Sequence, residues 1–585
     1  MSQPQKSLKE YRALLPYLSR FRYRYIFGIL CLVIVDTAQI IIPQFIRAAV
    51  DLISSGDFQW RQIIILSLYM LGSMALVSVG RFLWRYFISG SSRRIETELR
   101  ENLFNHLQKL SWDFYQENKI GDLMARSIND LNAVRMALGM GLVAFFDFIF
   151  MTTAILIIIF IQDAGSALYS IIPLPFITVL ILFFGSMVGK KFLAAHVAYS
   201  KLSDNVQETF AGISVIKSFV KEWWFIKKFA DSNDDYRKAN MELVRLFGFF
   251  FPFVQFLSGL TILVMLAIGG VRVINGLMTP GSLVAMFRYL NMLIWPLMGA
   301  GFMVNMIQRG AVSLGRVNEI LNTVPSIREN ENASANEANF SLPALKLSDL
   351  SFSYDEKKPV LEGINLEIMR GQWLGIMGKT GAGKSTLIKT FMRMIDPPLG
   401  KVSVFGLDVR DWPLEELRKL FAVSPQDSYL FSDSIANNIT YGRTPEDTED
   451  LAKAIDLSSL GKDMEIFQRG RETLIGERGL TLSGGQKQRT AIARAAIMDA
   501  EFLILGDSLS AVDNETEQKI LEALRKQRMN RTTVFISHRV STLKYADKVL
   551  VLDNGKMIEY GSPSELVSAG GFYSRMAAFQ RLENG

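Results

Sequence analysis

Gly378-Lys379-Thr380-Gly381-Ala382-Gly383-Lys384-Ser385-Thr386 fits the pattern G-x-x-x-x-G-K-[ST], and its flanks decide how the surrounding chain must fold. The apolar run 373–377 before it reads as a strand, and 386–389 after it opens a helix. Glycines let such a loop curl so that backbone N–H groups and the helix N-terminus face phosphate oxygens. Lys384 is expected to reach the β- and γ-phosphates of ATP, and Ser385 to offer its hydroxyl to Mg²⁺. A bare match arises by chance in a long chain. The strand–loop–helix setting removes that reading and predicts nucleotide binding over Gly378–Thr386.

Outward from this loop, the 585 residues are too many for one core, and the apolar residues are unevenly placed. Residues up to about 310 hold long uncharged runs, whereas the remainder has ordinary soluble composition. The net charge of +7 belongs with cytoplasmic loops of a membrane protein rather than with nucleic acid. The single cysteine, Cys31, excludes an intramolecular disulfide. The first twenty residues are basic and amphipathic, with no cleavable signal pattern. Tyr11, Leu14, Leu15, Tyr17 and Leu18 predict an interfacial helix within 1–23.

Six stretches, 24–53, 62–90, 136–162, 165–189, 246–275 and 280–307, reach the roughly 20 apolar residues needed to cross a bilayer. They define an all-α transmembrane domain over 24–321. The connections 54–61, 162–165 and 276–280 are short, while 91–135 and 190–245 are long and charged, with seven Lys/Arg in 91–135 alone. The positive-inside rule then puts the long loops, both termini and the phosphate loop in the cytoplasm of a multi-pass inner-membrane protein. Helical spacing in 95–110, 128–138, 202–220 and 225–236 predicts that the spanning helices continue into the cytoplasm. Asp36, Gln39, Arg47, Asp147, Gln255, Arg288 and Asn291 fall inside or near apolar runs, either as a substrate pathway or as interhelical hydrogen bonds. Met292, Trp295, Met298, Phe302 and Met303 follow helical spacing and suit amphiphilic ligands, though packing explains most such stripes. Pro296 predicts a kink. The polar stretch 322–344 reads as a linker.

From 345 to 585, short β-rich runs alternate with helical patterns, as in an α/β domain with a largely parallel sheet. Further motifs follow in order. They are Tyr354 in Leu350-Ser351-Phe352-Ser353-Tyr354, Gln426 in Val423-Ser424-Pro425-Gln426-Asp427, and Leu482-Ser483-Gly484-Gly485-Gln486. Ser510-Ala511-Val512-Asp513 and Ile536-Ser537-His538-Arg539 complete the series. This set resembles the nucleotide-binding domain of an ATP-binding-cassette (ABC) transporter. The membrane half, including Gly121-Asp122-Leu123-Met124-Ala125-Arg126, and the loop 473–479 resemble the exporter class. The resemblance covers essentially the whole chain, as a half-transporter. It implies that Tyr354 stacks on adenine, Gln426 senses Mg²⁺, and His538 contacts the γ-phosphate. It further implies that Ser483, Gly484, Gly485 and Gln486 grip nucleotide held by a partner's phosphate loop, and that Asp513 lies in the loop crossing between paired domains. A dimer is therefore expected, since one chain carries one such domain.

One departure stands out. The family ends an apolar strand in Asp-Glu, the Asp holding Mg²⁺ through water and the Glu polarising the attacking water. Counting back from Asp513 puts Gly506 at the Asp position and Asp507 at the Glu position. Asp is one methylene shorter, and a misplacement of about 1 Å costs on the order of 10²-fold in rate. Gly506 brings no carboxylate, which leaves Ser385 and Gln426 as metal ligands. The expectation is a site that binds ATP and hydrolyses it poorly, in one subunit of a bacterial heterodimeric multidrug exporter whose partner keeps Asp-Glu. The cargo expected is a hydrophobic or amphiphilic compound, with Asp36, Asp147, Met292, Trp295, Met298 and Phe302 along its pathway. A homodimeric lipid or peptide exporter and an ATP-gated channel that does not pump stay open at this point. The lack of a peptidase-like domain before the first span weighs against a processing peptide exporter.

Overall fold

The computed structural model describes residues 9–583, apart from 57–58, 331–332, 355–357, 443–447, 477–478 and 480. The chain forms two compact units. One holds the residues up to Lys109 and Asn118–Thr323; the other holds Leu110–Glu117 and everything from Val324.

In the first unit, α1 (Arg22–Ser54) and α2 (Trp60–Trp84) are joined to α3 (Gly90–Lys109) through a π-helical turn at Arg85–Ser89. The short helix α4 (Trp112–Glu117) belongs to the second unit. Back in the first, α5 (Leu142–Ile171), α6 (Pro173–Ala211), α7 (Glu222–Ile274), α8 (Pro280–Met292) and α9 (Ile294–Leu321) follow. Among the described residues, five helical segments are long and apolar enough to cross a membrane, and the remaining expected span, 165–189, runs from the end of α5 into α6. The 53 residues of α7 rise about 80 Å at about 1.5 Å each, far beyond a hydrocarbon core of about 30 Å. The helical spacing noted in the long loops is thus part of continuous helices. Outside the apolar section, α6 and α7 are joined by Lys191–Glu242 at 2.5 Å, Lys228–Glu208 at 3.1 Å and an Asn205–Ser232 hydrogen bond of 2.6 Å.

The short connection expected at 162–165 is present: α5 is two helices that meet at a kink at Asp163 (φ −163°, ψ 99°), whose carboxylate accepts from Ser166 N and pairs with Arg272 at 2.7 Å. Several other expectations are corrected. The helix break near Pro296 falls at Leu293, between α8 and α9, one turn before the ring that clashes with the preceding carbonyl. The predicted interfacial helix divides into a 3₁₀ turn, Glu10–Leu14, and a short α-helix, Leu15–Arg20, with Pro16 in its first turn. Leu14 is fully buried and Tyr11 Oη donates to Ile307 O at 2.9 Å, so this segment packs on α9, while its residues 1–8 lie outside the described residues. Asp122 and Arg126 of the 121–126 motif are tied to the end of α9: Arg316 meets Asp122 at 2.5 Å and Asp130 at 3.2 Å, and Arg126 donates to Arg316 O at 2.8 Å.

The second unit carries β1 (Leu345–Phe352), β2 (Leu361–Ile368), β3 (Trp373–Gly378), β4 (Val402–Val404), β5 (Leu407–Asp408) and β6 (Phe421–Ser424). They are followed by β7 (Phe502–Gly506), β8 (Thr532–Ile536), β9 (Lys548–Asp553) and β10 (Lys556–Gly561). A six-stranded sheet runs β10-β9-β3-β8-β7-β6, parallel except for β10 at its edge, and an antiparallel sheet runs β2-β1-β4-β5. All six residues of β3 are buried, as a central parallel strand covered on both faces requires. One apolar core lies between the two sheets around Phe391, Phe405 and Phe502; a second lies on the far face of the larger sheet around Leu503, Phe535 and Tyr573. The stretch 322–344 is not a free linker. Ile327 is buried, Phe340 packs on Phe405 with centroids 4.4 Å apart, and Asn339 N donates to Phe405 O at 2.9 Å.

Candidate nucleotide site and membrane cavity

Strands β3, β6, β7 and β8 end side by side, and ligands of open parallel sheets bind at such carboxyl ends. A cavity of about 510 Å³ elsewhere on this unit gathers no motif residue, whereas one of about 480 Å³ at the strand ends gathers most of them. It is lined by Thr380 to Thr386 from the loop, Gln426 after β6, Gly506 and Asp507 at the end of β7, and His538 after β8. Gly383 has φ +98° and precedes α10 (Lys384–Phe391); a Cβ there would lie 2.9 Å from Val360 O, and one on Gly378 would collide with Leu552 O. Glycine is therefore required at both places. The loop is a concave cradle of backbone donors at a helix N-terminus, which suits a chain of phosphates.

Lys384 Nζ donates to Gly378 O at 2.7 Å and Lys379 O at 2.9 Å, which holds the ammonium across the loop. Its burial lowers the ammonium pKa, an effect opposed by the Asp507 carboxylate. Burial likewise raises the pKa of Asp507, against the pull of His538, Lys384 and Arg539. Asp507 adopts a left-handed backbone, φ +54°, a conformation that Asp tolerates better than most side chains. At Gly506 the backbone makes no such demand. A Cβ there would meet Gln426 N and Ser424 O at 3.4 Å, so the backbone neighbours admit a Cβ without a clash.

Tyr354 stands beside this cavity, half exposed, with its hydroxyl 3.3 Å from Thr386 Oγ1. Lys379 and Gly378 belong to the loop without lining the cavity. The structure does not bring Ser483, Gly484, Gly485 and Gln486 there either. They start α11 (Gly484–Ala496) in a reciprocal cap: Ser483 Oγ accepts from Gln486 N at 3.3 Å and Gln486 Oε1 accepts from Ser483 N at 3.0 Å. Asp463 then accepts from Gln486 Nε2 at 2.9 Å and Arg489 at 2.6 Å. Asp513 caps α12 (Asn514–Gln527) by accepting from Thr516 N at 2.9 Å, and that bond holds its carboxyl below the usual range. Residues 477–478 of the loop 473–479 lie outside the described residues.

Four residues that sequence reasoning missed frame this site. Trp112 of α4 lines the cavity, with Lys389 Nζ 5.6 Å from its ring centre. Gln488 ties α11 to the loop before α12, accepting from Ala511 N at 2.8 Å and donating to Ser510 Oγ at 3.2 Å. Arg539, next to His538, reaches Glu517 at 2.5 Å and Ser510 O at 3.2 Å. Gln580, on α13 (Phe572–Glu583), donates to His538 O and accepts from Val540 N, both at 2.8 Å. Arg539 stands in the 536–539 motif without a role assigned to it there; Trp112, Gln488 and Gln580 belong to none of the quoted motifs, so no local pattern marks them.

In the membrane unit, Asp36, Asp147, Met292 and Trp295 line one cavity of about 410 Å³ with Gln39, Arg81 and Arg85. Met298 does not join them; it is buried in the apolar core with Met286 and Tyr289. Phe302 faces a different groove, beside Asn132, Met136 and Arg309. The helical stripe therefore divides among three surroundings.

A P-loop unit with a parallel sheet, carried on the same chain as a set of long apolar helices, defines a multi-pass membrane protein with its own nucleotide domain. Comparison with known proteins narrows this. The family profile described as "ABC transporter transmembrane region" matches residues 25–297, and that described as "ABC transporter" matches 361–510. A probable multidrug resistance ABC transporter ATP-binding/permease protein of Bacillus subtilis (strain 168) is 34% identical, covering 97% of both chains. A multidrug resistance-like ATP-binding protein of Escherichia coli (strain K12) is 33% identical over 97% of this chain and 96% of that one. A bacterial Atm1-family ABC exporter, solved with ATP bound, superposes with a TM-score of 0.80 at 26% identity, covering 96% of this chain and 99% of its own. The chain belongs to the ABC transporter family, with the transmembrane and nucleotide-binding domains in one polypeptide.

Proposed function

We propose that this chain is one subunit of an ATP-driven efflux transporter whose own ATP site holds nucleotide and splits it slowly. The observation that carries the reading is the contrast within the one cavity. Lys384, Ser385, Gln426 and His538 are gathered there, while β7 contributes Gly506 and Asp507. The glycine cradle and the Ser385 and Gln426 oxygens fit ATP with Mg²⁺, which would be held by those two side chains and the phosphates. When bound, Mg²⁺ neutralises charge on the β- and γ-phosphates. The protein groups do the rest: Lys384 carries phosphate charge, His538 bonds the γ-phosphate, and Asp507 alone is left to orient water. Its carboxylate sits one methylene short, on a left-handed backbone that disfavours a longer side chain.

On this reading the second subunit is a different half-transporter with an intact Asp-Glu pair, and Ser483–Gln486 complete its site. The absence of Ser483–Gln486 from the chain's own cavity is consistent with such sharing. The charged loops put the nucleotide unit in the cytoplasm and the chain in the cytoplasmic membrane. Hydrophobic or amphiphilic small molecules are the cargo, in keeping with the multidrug names of the relatives. A lipid-like cargo is the second reading, favoured by an ATP-dependent lipid A-core flippase of Syntrophus aciditrophicus (strain SB), 29% identical over 96% of this chain.

The test is ATPase activity of the purified chain alone, compared with the chain co-purified with a half-transporter bearing Asp-Glu. Low turnover alone and high turnover in the pair is the expected result. Robust turnover by the chain alone, abolished by Asp507→Asn, means that the site is competent and the asymmetric reading is wrong.

A further inference from the structure

His538 lines the nucleotide cavity from an irregular stretch between β8 and the short helix Val540–Leu543. Backbone contacts, rather than a sheet ladder, therefore decide where its imidazole points. On one flank Arg539 N donates to Ser537 Oγ at 3.0 Å, and the Arg539 guanidinium reaches Asn514 at 3.0 Å, Ser510 O at 3.2 Å and Glu517 at 2.5 Å. On the other flank stands Gln580 of α13. Its Nε2 donates to His538 O and its Oε1 accepts from Val540 N, both at 2.8 Å. The short helix has no side-chain cap of its own, and Val540 N is one of the N–H groups that a helix start leaves unpaired. One amide thus takes the carbonyl of residue 538 and the N–H two residues on, as the peptide groups of a neighbouring parallel strand would. An amide carries donor and acceptor side by side, whereas a carboxylate only accepts and an ammonium only donates.

Gln580 is a fixed post because α13 is itself anchored. At the helix start Tyr573 N donates to Glu559 at 3.1 Å. Tyr573 is fully buried, and it lies with buried Ala577 in the core around Leu503 and Phe535. Tyr573, Ala577 and Gln580 recur at spacings of four and three, so they share one face of α13, and Gln580 stands one turn beyond the buried pair. The helix and the His538 backbone are coupled through this one side chain. Such coupling matters at a phosphate, because a hydrogen bond is lost beyond about 3.5 Å and a shift of under an ångström removes it.

We propose that Gln580 is a positioning residue of the nucleotide site, holding the backbone on both sides of Arg539 so that His538 is aimed at the γ-phosphate. The inference rests on the reading above that His538 bonds the γ-phosphate, and it adds α13 to the parts of the chain that serve the site. It predicts discrimination between nucleotides: a ligand without a γ-phosphate is indifferent to Gln580.

The experiment uses the full-length chain in lipid nanodiscs, with equilibrium binding, in Mg²⁺, of ADP and of the non-hydrolysable β,γ-imido analogue of ATP. His538→Ala should weaken the analogue by about 10-fold, as loss of a hydrogen bond to a charged group does, and leave ADP unchanged. Gln580→Ala and Gln580→Met, the second keeping the length without donor or acceptor, should each weaken the analogue by about 3-fold or more and also leave ADP unchanged. The double variant His538→Ala/Gln580→Ala should be no weaker than His538→Ala alone, because the two residues act as one unit. ADP binding reports that each variant is folded. Where the Ala and Met variants do not fold, Gln580→Glu decides: it keeps the size and the acceptor for Val540 N but loses the donor to His538 O, so weaker analogue binding is expected. Normal analogue binding by the folded Gln580 variants overturns the proposal. Equal loss of both nucleotides overturns it too, since α13 then only holds the domain together, as does a further loss in the double variant. If His538→Ala binds the analogue normally, the γ-phosphate reading fails and this inference with it. A selective loss at His538 with none at Gln580 sinks this inference alone.

Discussion

Strands β3 and β7 lie two apart in the same sheet, separated by β8, and end at the same cavity, yet their ends are equipped very differently. β3 runs into a loop where glycine is sterically required at Gly378 and Gly383 and where Lys384 is held by two carbonyls. β7 runs into Gly506, where nothing requires glycine, and Asp507, where the backbone is left-handed. The first end is constrained by packing at Gly378 and Gly383; the second carries a glycine without a close contact and a single carboxylate at Asp507. Holding a nucleotide needs many weak backbone donors in one place. Splitting it needs one or two carboxylates placed to within about an ångström. A site can keep the first property after losing the second.

Three substitutions test how far that contrast goes. Lys384→Ala attacks the intact end, and ATP affinity should fall by about 10²-fold, the upper range for a charged hydrogen bond; a filter or fluorescence binding titration measures it. Gly506→Asp combined with Asp507→Glu rebuilds the depleted end, and single-turnover hydrolysis should rise by as much as about 10²-fold. The Cβ at 506 fits without displacing Gln426, while Glu at 507 carries a left-handed backbone cost of about 1–2 kcal/mol, so a partial gain identifies 507 as the limiting position. Ser483→Ala gives the smallest effect. It removes the cap of α11, worth about 1 kcal/mol in thermal or denaturant unfolding of the protein, and should leave this chain's own ATP affinity unchanged. A matching loss of ATP affinity would make the contrast between the two strand ends incomplete, because a third element would then serve the same site.

The parts of the site that were legible in sequence are those built from local geometry. A phosphate loop needs glycines, a lysine and a hydroxyl at set spacing, so Gly378–Thr386 announces itself. Strand β7 was legible as a short apolar run, and the register of Gly506 and Asp507 came from the family resemblance, counted back from Asp513. Trp112 and Gln580 were not legible, although Trp112 lines the cavity and Gln580 donates to His538 O. Each comes from a separate part of the chain, and only the fold makes it a neighbour. The stripe 292–303 failed for a related reason. Periodicity treated it as one face with one neighbour, but different elements pack along it: Met298 lies in the core while Phe302 faces another groove. Likewise 322–344 looked like a linker from its polarity, yet Ile327 and Phe340 were enough to pin it to the nucleotide unit.

Sequence alone determined the succession of long apolar helices, the alternation of strands and helices after 345, and the chemistry of the phosphate loop. All three depend on residues near one another in the chain. Tertiary structure alone decided that Asp36 and Asp147, 111 positions apart, share one cavity with Arg81 and Arg85. It also decided that a Cβ at Gly506 would meet nothing closer than 3.4 Å and that Asp507 has a left-handed backbone. These facts concern empty space, backbone angle and the meeting of distant side chains, and no spacing rule encodes them.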